Sequence, residues 1–514
     1  MWNYSGGGPG RSGSGSGPER RRLNVVTLNA WFLPLGVLSP DTEARVDALA
    51  AAVADPEDGD AGAADVLCLQ EVWPRWAQRR IVDAARRAGY RTALASPTGG
   101  LLLLSRALRC DGWRFAAYAN RGLPQRVTHA DFYGGKGVLA ARLSGPSSPG
   151  GGGGGDDDDA GAHDAVIVAN THLHASYTAS EDEEDEYDGI RAAQVLELSS
   201  FLRGLRRALP GPPPPPPPAV AVAAAANVGD DKAPIIIAGD FNIHAGPSAA
   251  SPTPEYTALV DALGAVDAAA DAAAECEPDG TWYQTWNTPE NAYADAAAGW
   301  PDGQRIDLVL ACRGEAAAAA AARRPRGVAV RPAFAAAVPG APALSDHLGV
   351  AASFVFPDNN NPWPQNDGGY AYRAGADGGL VEDDGGAGGL GRARAAAAVA
   401  WLRARVADGV ARAEKRQKAE KRVAMGAAAG CGLACALLRA QHAAAAADAP
   451  RAGISAARLL RRSPGAWAKG VAAAGLAAVA GANLLLAGPC AREELRALNW
   501  AAALEQRTDG DDGS

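Results

Sequence analysis

Short apolar runs, each ending on a polar or ionisable residue, recur along the first two-thirds of the chain. Residues 23–29 (LNVVTLN) form a β-type run that stops at Asn29. A second run at 65–69 passes into Gln70 and Glu71. Residues 73–89 then carry charge on one face with Gly89 closing them, which predicts a helix. Further buried strands are expected at 101–104, 138–143, 166–169, 235–238, 306–310 and 350–356. Strands and helices alternating over about 330 residues predict an α/β domain with a large core, assigned to residues 23–357.

Three stretches interrupt the pattern. Residues 144–162 are glycine-rich and then carry four aspartates, 181–188 are almost wholly acidic, and 211–231 contain a run of seven prolines. None has the apolar content to bury a core, so each is expected to be a solvated surface insert. Residues 1–22 are rich in Gly, Ser, Pro and Arg and are expected to be disordered. They show no apolar run, so no secretory signal is expected.

Beyond residue 357 the pattern changes again. A Gly/Asp/Asn linker (358–391) precedes a basic helix at 392–422, where ten Lys/Arg face three Asp/Glu for a local charge of +7. An apolar segment at 423–438 and a longer one within 467–491 follow, before an acidic tail at 492–514. A spanning helix needs about 20 apolar residues. The second segment reaches that length, flanked by Trp467, Lys469 and Arg492 in anchoring positions. The first is short: a membrane segment or a buried soluble helix fits it, so one span or two stays open. The +7 segment places the preceding domain on the cytosolic side of a membrane, and makes 392–422 a juxtamembrane helix with affinity for anionic lipids.

Composition adds exclusions. The 514 residues carry 49 Lys+Arg against 58 Asp+Glu, a net charge of −9, which argues against a nucleic-acid-binding protein. Seven cysteines without regular spacing do not make a disulfide framework and fit a reducing compartment.

The polar residues at the ends of the predicted strands carry the chemistry. They are Asn29, Glu71, His172 in Asn170-Thr171-His172-Leu173-His174, Asp240 and Asn242 in Gly239-Asp240-Phe241-Asn242, Asp307 in Arg305-Ile306-Asp307, and Asp346-His347 before the last strand. Strand ends in stacked α/β folds gather at one rim and make a cleft. Such a set suits hydrolysis of a phosphodiester, whose negative charge grows as water attacks. Glu71 is the expected metal ligand, with Asn29 beside it as an oxygen donor, for Mg²⁺ or alternatively Mn²⁺. His347 is the expected acceptor of the water's proton, oriented by Asp307 or Asp346. Asp240 is expected to orient the water, Asn242 to donate to a phosphate oxygen, and His172 to stabilise the developing charge. His174 and His244 are expected to be neighbours without a role.

In this order the segments resemble the endonuclease/exonuclease/phosphatase superfamily of metal-dependent phosphoesterases, over residues 22–357. The resemblance implies an α/β fold of four layers, two packed mixed sheets flanked by helices, here with C-terminal membrane helices. A further segment, His129-Ala130-Asp131-Phe132-Tyr133-Gly134-Gly135-Lys136, is similar to the neutral sphingomyelinase family's stretch of a His, an Asp, two aromatics and a Lys five residues after the Asp. That resemblance implies a membrane-anchored, Mg²⁺-dependent phospholipase C. It would release ceramide and phosphocholine from sphingomyelin, a membrane phosphosphingolipid. Asp131 and Lys136 are substrate-binding candidates on this reading: Lys136 contacts the phosphate or pairs with Asp131, so rearranging the pair would gate the site. A plain ion pair fits equally. Phe132, Tyr133 and Trp31 are candidates to meet lipid or the choline group. The motifs leave choline and inositol headgroups unseparated. An inositol-polyphosphate 5-phosphatase is the enzymatic alternative, and an inactive lipid-binding scaffold the non-enzymatic one.

Overall fold

The computed structural model describes residues 22–34, 39–120, 131, 134–145, 165–178, 185–208, 233–248, 250–272, 282–294, 300–312, 325–356, 393–416, 418–419, 422, 426 and 436. Within them the first sheet runs β11 (Arg326–Ala333), β12 (Gly349–Val355), β1 (Arg22–Phe32), β2 (Val66–Val72), β4 (Leu102–Ser105) and β3 (Thr92–Ala95). The second runs β5 (Arg109–Ala117), β6 (Gly137–Ser144), β7 (Ala165–His172), β8 (Ile235–Asp240), β10 (Asp307–Cys312) and β9 (Ala265–Asp267). Both sheets are mixed: β1 and β2 pair in parallel, as do β7 and β8, and their outer neighbours run antiparallel.

Alternation along the strands decides what each face meets. Leu23 and Val25 of β1 and Val66 and Cys68 of β2 turn inward. They join Val166 and Val168 of β7 and Ile236 and Ala238 of β8 in the core between the sheets. Val26 and Leu28 turn outward onto Val46, Leu49 and Val53 of α1 (Thr42–Ala54) and Ile81 of α2 (Arg75–Arg87). On the far side Ile235 and Ile237 meet Val195, Leu198 and Leu202 of α3 (Asp188–Ala208) and Leu259 of α4 (Pro254–Ala262). One-turn α5 (Ala268–Asp271) closes β9. The result is the expected four-layer sandwich of two packed mixed sheets with flanking helices.

The strands expected from the apolar runs are all present, several one to three residues longer than their runs. Those without a strong run, β3, β5, β9 and β11, were not expected from the sequence; nor were α1, α3 and α4. In α1 the sequence TEARVDALAAAVA puts alanine on every side, which blurs the helical period.

One expectation needs correction. The acidic tract 181–188 is not wholly a solvated insert: Asp185 binds Arg191, and Asp188 opens α3 and binds Arg405 and Arg412. The basic helix packs on the domain. Residues 393–416 form α6, which buries Ala398, Leu402 and Val406 in the core beside α3 and α4. Arg394 pairs with Asp261 and Arg416 with Glu186 on the surface it covers. Much of the +7 charge is therefore directed at the protein's own carboxylates. Among the described residues no helix is long and apolar enough to cross a membrane. The apolar segments at 423–438 and 467–491 lie almost wholly outside the described residues. So do most of 1–22 and 144–162, and all of 211–231, 358–391 and 492–514.

Candidate active site

The parallel strand pairs of the two sheets end at one rim, and the ends carry the side chains. Asn29 lies in β1 and Glu71 in β2, while His172 and Asp240 are the last residues of β7 and β8. Antiparallel β10 begins where β8 finishes, so Asp307 stands opposite Asp240 in register. The sheets meet here directly, because Asn29 Nδ2 donates to Asp240 Oδ2 at 2.9 Å. Below this contact Gln70 Nε2 donates to Asn170 Oδ1 at 2.7 Å, a second polar tie between the sheets.

Local backbone geometry explains why these positions project. Glu71 and Trp31 have positive φ values of 55° and 51°, and the β1–β2 register shifts between Asn29 and Phe32. Left-handed backbone at a bulky residue is costly, on the order of 1–3 kcal/mol, and persists where the surroundings hold it. Gly239, at φ 155°, is needed for a different reason: a Cβ there would lie 2.0 Å from the Thr171 carbonyl oxygen. The glycine lets β7 and β8 close up, which brings His172 and Asp240 together.

His347 and Asp307 form one half of the site. His347 Nδ1 and Asp307 Oδ2 are 2.8 Å apart, both buried. The choice left open between Asp307 and Asp346 is thus settled for the direct bond: Asp346 Oδ1 instead lies 3.2 Å from Ser345 Oγ. Thr285 Oγ1 accepts from the backbone N–H groups of Ile306 and Asp307, both at 3.1 Å, and steadies the strand start. No motif flagged Thr285, since a lone threonine in a loop has no sequence signal. Burial disfavours the His347 cation, but Asp307, Asp346 and Asp240 outweigh it and push its pKa up to about 10. Burial raises Asp307 and Asp346, while His172 foremost, with His347 and Lys136, holds Asp240 well below the usual carboxylate range against the pull of burial.

The other half is built around His172. Its Nε2 lies 2.6 Å from Lys136 Nζ, 3.2 Å from Asp240 Oδ2 and 3.8 Å from Glu71 Oε1. One nitrogen cannot both accept from the lysine and donate to the aspartate, so the proton's position on the ring selects the partner. Lys136 also pairs with Asp131 at 2.8 Å, both buried. Asp131 in turn accepts from Ala175 N at 2.8 Å and faces His174 Nδ1 at 3.4 Å. The Lys136 charge and the two histidines hold Asp131 at about 2 against the upward pull of burial. His174 has left the strand and stacks on Tyr187 at 4.3 Å, where burial lowers its pKa to about 4. His244 accepts from Arg305 N at 3.2 Å.

Two further expectations take definite form. Asn242 points one amide N–H at the Leu173 carbonyl, 2.9 Å away, and its backbone N–H at Asp240 Oδ1, also 2.9 Å. That amide hydrogen is spent on holding the loop and not on a phosphate oxygen. Trp31 is half-buried, edge-on to Tyr293 at 5.4 Å. Phe132 and Tyr133 lie outside the described residues.

Asp240, Asp307 and His347 each offer a ligand atom, and these atoms all lie within 4.8 Å of one another. Asp307 Oδ1 is buried without a hydrogen-bond partner, an orphan that a cation would satisfy. Hard carboxylate oxygens beside one imidazole fit a divalent ion. The Glu71 carboxylate, whose pKa burial raises, stands across His172 from this group. Asn29 Oδ1 accepts from Trp31 N at 3.0 Å, so in this arrangement Asn29 is a partner of Asp240.

Two stacked mixed sheets with a buried carboxylate–imidazole cluster at one rim define the class, an α/β-sandwich hydrolase. The chain belongs to the Endonuclease/Exonuclease/phosphatase family, which it matches over residues 26–347, a span that takes in every candidate site residue. A curated relative, "Putative neutral sphingomyelinase" of Drosophila melanogaster, is 29% identical over 187 residues, 36% of this chain and 36% of that protein. The match thus spans about a third of the relative's length. Among solved structures, SmcL is 16% identical with a TM-score of 0.42, covering 65% of this chain and 99% of that one. D. rerio TDP2 complexed with single-strand DNA product is 14% identical with a TM-score of 0.41, covering 65% and 98%.

Proposed function

We propose that this protein is a Mg²⁺-dependent phosphodiesterase of the phospholipase C type, acting on sphingomyelin or a related phosphosphingolipid at a membrane surface. The observation that carries the hydrolytic part is the grouping of Asp240, Asp307 and His347 within 4.8 Å, with His172 against Asp240 and Lys136 against His172. The lipid part is supported by the name of the curated relative and by the Asp131–Lys136 stretch. Attachment through 423–438 and 467–491, a cytosol-facing domain and contact of the basic residues beyond Arg416 with anionic lipid belong to the same proposal.

The residues suit the reaction as follows. Asp307 holds His347 by Nδ1, which leaves Nε2 to take a proton from water. Asp240, oriented by Asn29 and by the Asn242 backbone, presents a fixed carboxylate to the water. His172 and Lys136 put donors where charge grows on the phosphoryl oxygens. Asp240, Asp307 and Glu71 are the residues to hold a cation. Such a cation supplies neutralisation of phosphate charge and offsets the carboxylate field that keeps His347 protonated.

The test is release of phosphocholine from sphingomyelin vesicles by the purified full chain with Mg²⁺. EDTA, His347→Ala and Glu71→Ala should each abolish it. A panel of inositol phosphoceramide, lysophosphatidylcholine and phosphatidylinositol phosphates assigns the headgroup. No release from any phosphosphingolipid would end this reading, and phosphate released from inositol phosphates alone would replace it.

A further inference from the structure

Arg45 is fully buried in the first turn of α1, yet none of its five hydrogen-bond acceptors is a carboxylate. Nε donates to Pro40 O at 3.0 Å. Nη1 donates to both Ala30 O and Leu344 O at 3.0 Å. Nη2 donates to Trp31 O at 3.0 Å and Ser39 Oγ at 2.5 Å. All five guanidinium hydrogens are used, on three separate segments of chain. The rings of Trp31, Phe32 and Tyr293 close around the group, with centroids 5.0, 5.2 and 5.6 Å from Cζ.

The place served by these bonds is the bulge where β1 leaves its register with β2. A bulge strips backbone carbonyls of ladder partners, and buried carbonyls must find donors elsewhere. Here Arg45 supplies them at Ala30 and Trp31, and Ser345 Oγ supplies one at Asn29 O, 2.6 Å away. The same Arg45 nitrogen that holds Ala30 also holds Leu344, three residues before His347. One side chain therefore ties the strand end bearing Asn29 to the loop bearing His347, two segments some three hundred positions apart in sequence.

We propose that Arg45 is a positioning residue for phosphodiester hydrolysis: it fixes the strained Asn29–Trp31 bulge against the 344–347 loop and so sets where Asn29 and His347 stand around Asp240. The proposal rests on the phosphodiesterase reading above. Lysine cannot replace it, because three hydrogens on one nitrogen do not reach five acceptors on three segments. A displacement of about 1 Å among reacting groups is enough to cost roughly 100-fold in rate.

The experiment compares wild type, Arg45→Lys, Ser345→Ala and the double variant on sphingomyelin vesicles and on bis(p-nitrophenyl) phosphate with Mg²⁺. Thermal melts of each control for folding. The expected result is a fall in kcat of roughly 100-fold for folded Arg45→Lys, with KM within about threefold. Ser345→Ala should lower kcat too, and the double variant should be little worse than Arg45→Lys alone, since both ties serve one geometry. Wild-type kcat in folded Arg45→Lys, or effects of the two substitutions that simply multiply, would overturn the proposal. If Arg45→Lys does not fold, Ser345→Ala decides: a lowered kcat at unchanged melting temperature supports the shared tie, and an unchanged kcat rejects it. Wild-type inertness on both substrates would instead remove the phosphodiesterase reading and the positioning role with it.

Discussion

Asp307 and Asp240 face each other in register across the β10–β8 ladder, two buried carboxylates that their neighbours drive apart in character: burial foremost raises Asp307, while His172 foremost holds Asp240 low against burial. Asp307 is raised and bonds His347, while Asp240 is depressed and bonds Asn29 and His172. Two like groups in one site thus take different tasks, one holding the imidazole and one presenting charge to the water.

Asp307→Asn should lower kcat by roughly 10²–10⁴-fold, because the amide can no longer favour the imidazolium or fix the ring. The check is single-turnover hydrolysis, with a histidine NMR titration alongside. The resonance of His347, raised to about 10 in the wild type, should move back toward its ordinary value of about 6.5.

The same pair sets an alkaline limit. His347 binds its proton more tightly folded than unfolded, so its stabilising contribution is complete below about pH 6.5 and fades as pH rises through about 10. Urea midpoints measured between pH 6.5 and 10 should therefore fall in wild type more steeply than in Asp307→Asn. Equal slopes would contradict this.

His174 works in the opposite direction. With its folded pKa lowered to about 4, the unfolded chain binds the extra proton, so stability is lost as pH falls from about 6.5 to 4. The full loss is about 3 kcal/mol. His174→Phe, which keeps a ring against Tyr187, should flatten the denaturation profile across that window.

Lys136→Met should destabilise the fold by about 3–5 kcal/mol, since it strands the buried Asp131 carboxylate. Adding Asp131→Leu should recover much of the loss. Melting temperatures of both variants test this, and a double variant no more stable than the single would count against a buried pair.

α6 should behave as part of the domain. Leu402→Ala, at a fully buried position, should cost about 2–5 kcal/mol. Asp188→Asn should loosen α6 by weakening its contacts with Arg405 and Arg412, seen as faster limited proteolysis after residue 393.

The sequence by itself determined an alternating α/β domain, because apolar runs and their polar stops are local properties; the four layers were implied only by the family resemblance. It also supplied Asn29, Glu71, His172, Asp240, Asp307 and His347 as a set, since each lies at or beside an end of an expected strand. It did not separate Asp307 from Asp346 as the partner of His347, or foresee that Asn242 spends an amide hydrogen on Leu173; those depend on angles at strand ends. Arg45 and Thr285 carried no motif, for their partners lie far off in the chain and only packing brings them near. The basic charge of α6 shows why composition cannot place a helix. A run of arginines reads alike whether it faces a lipid surface or Asp188, Glu186 and Asp261, and only tertiary structure decided that it meets the protein's own carboxylates.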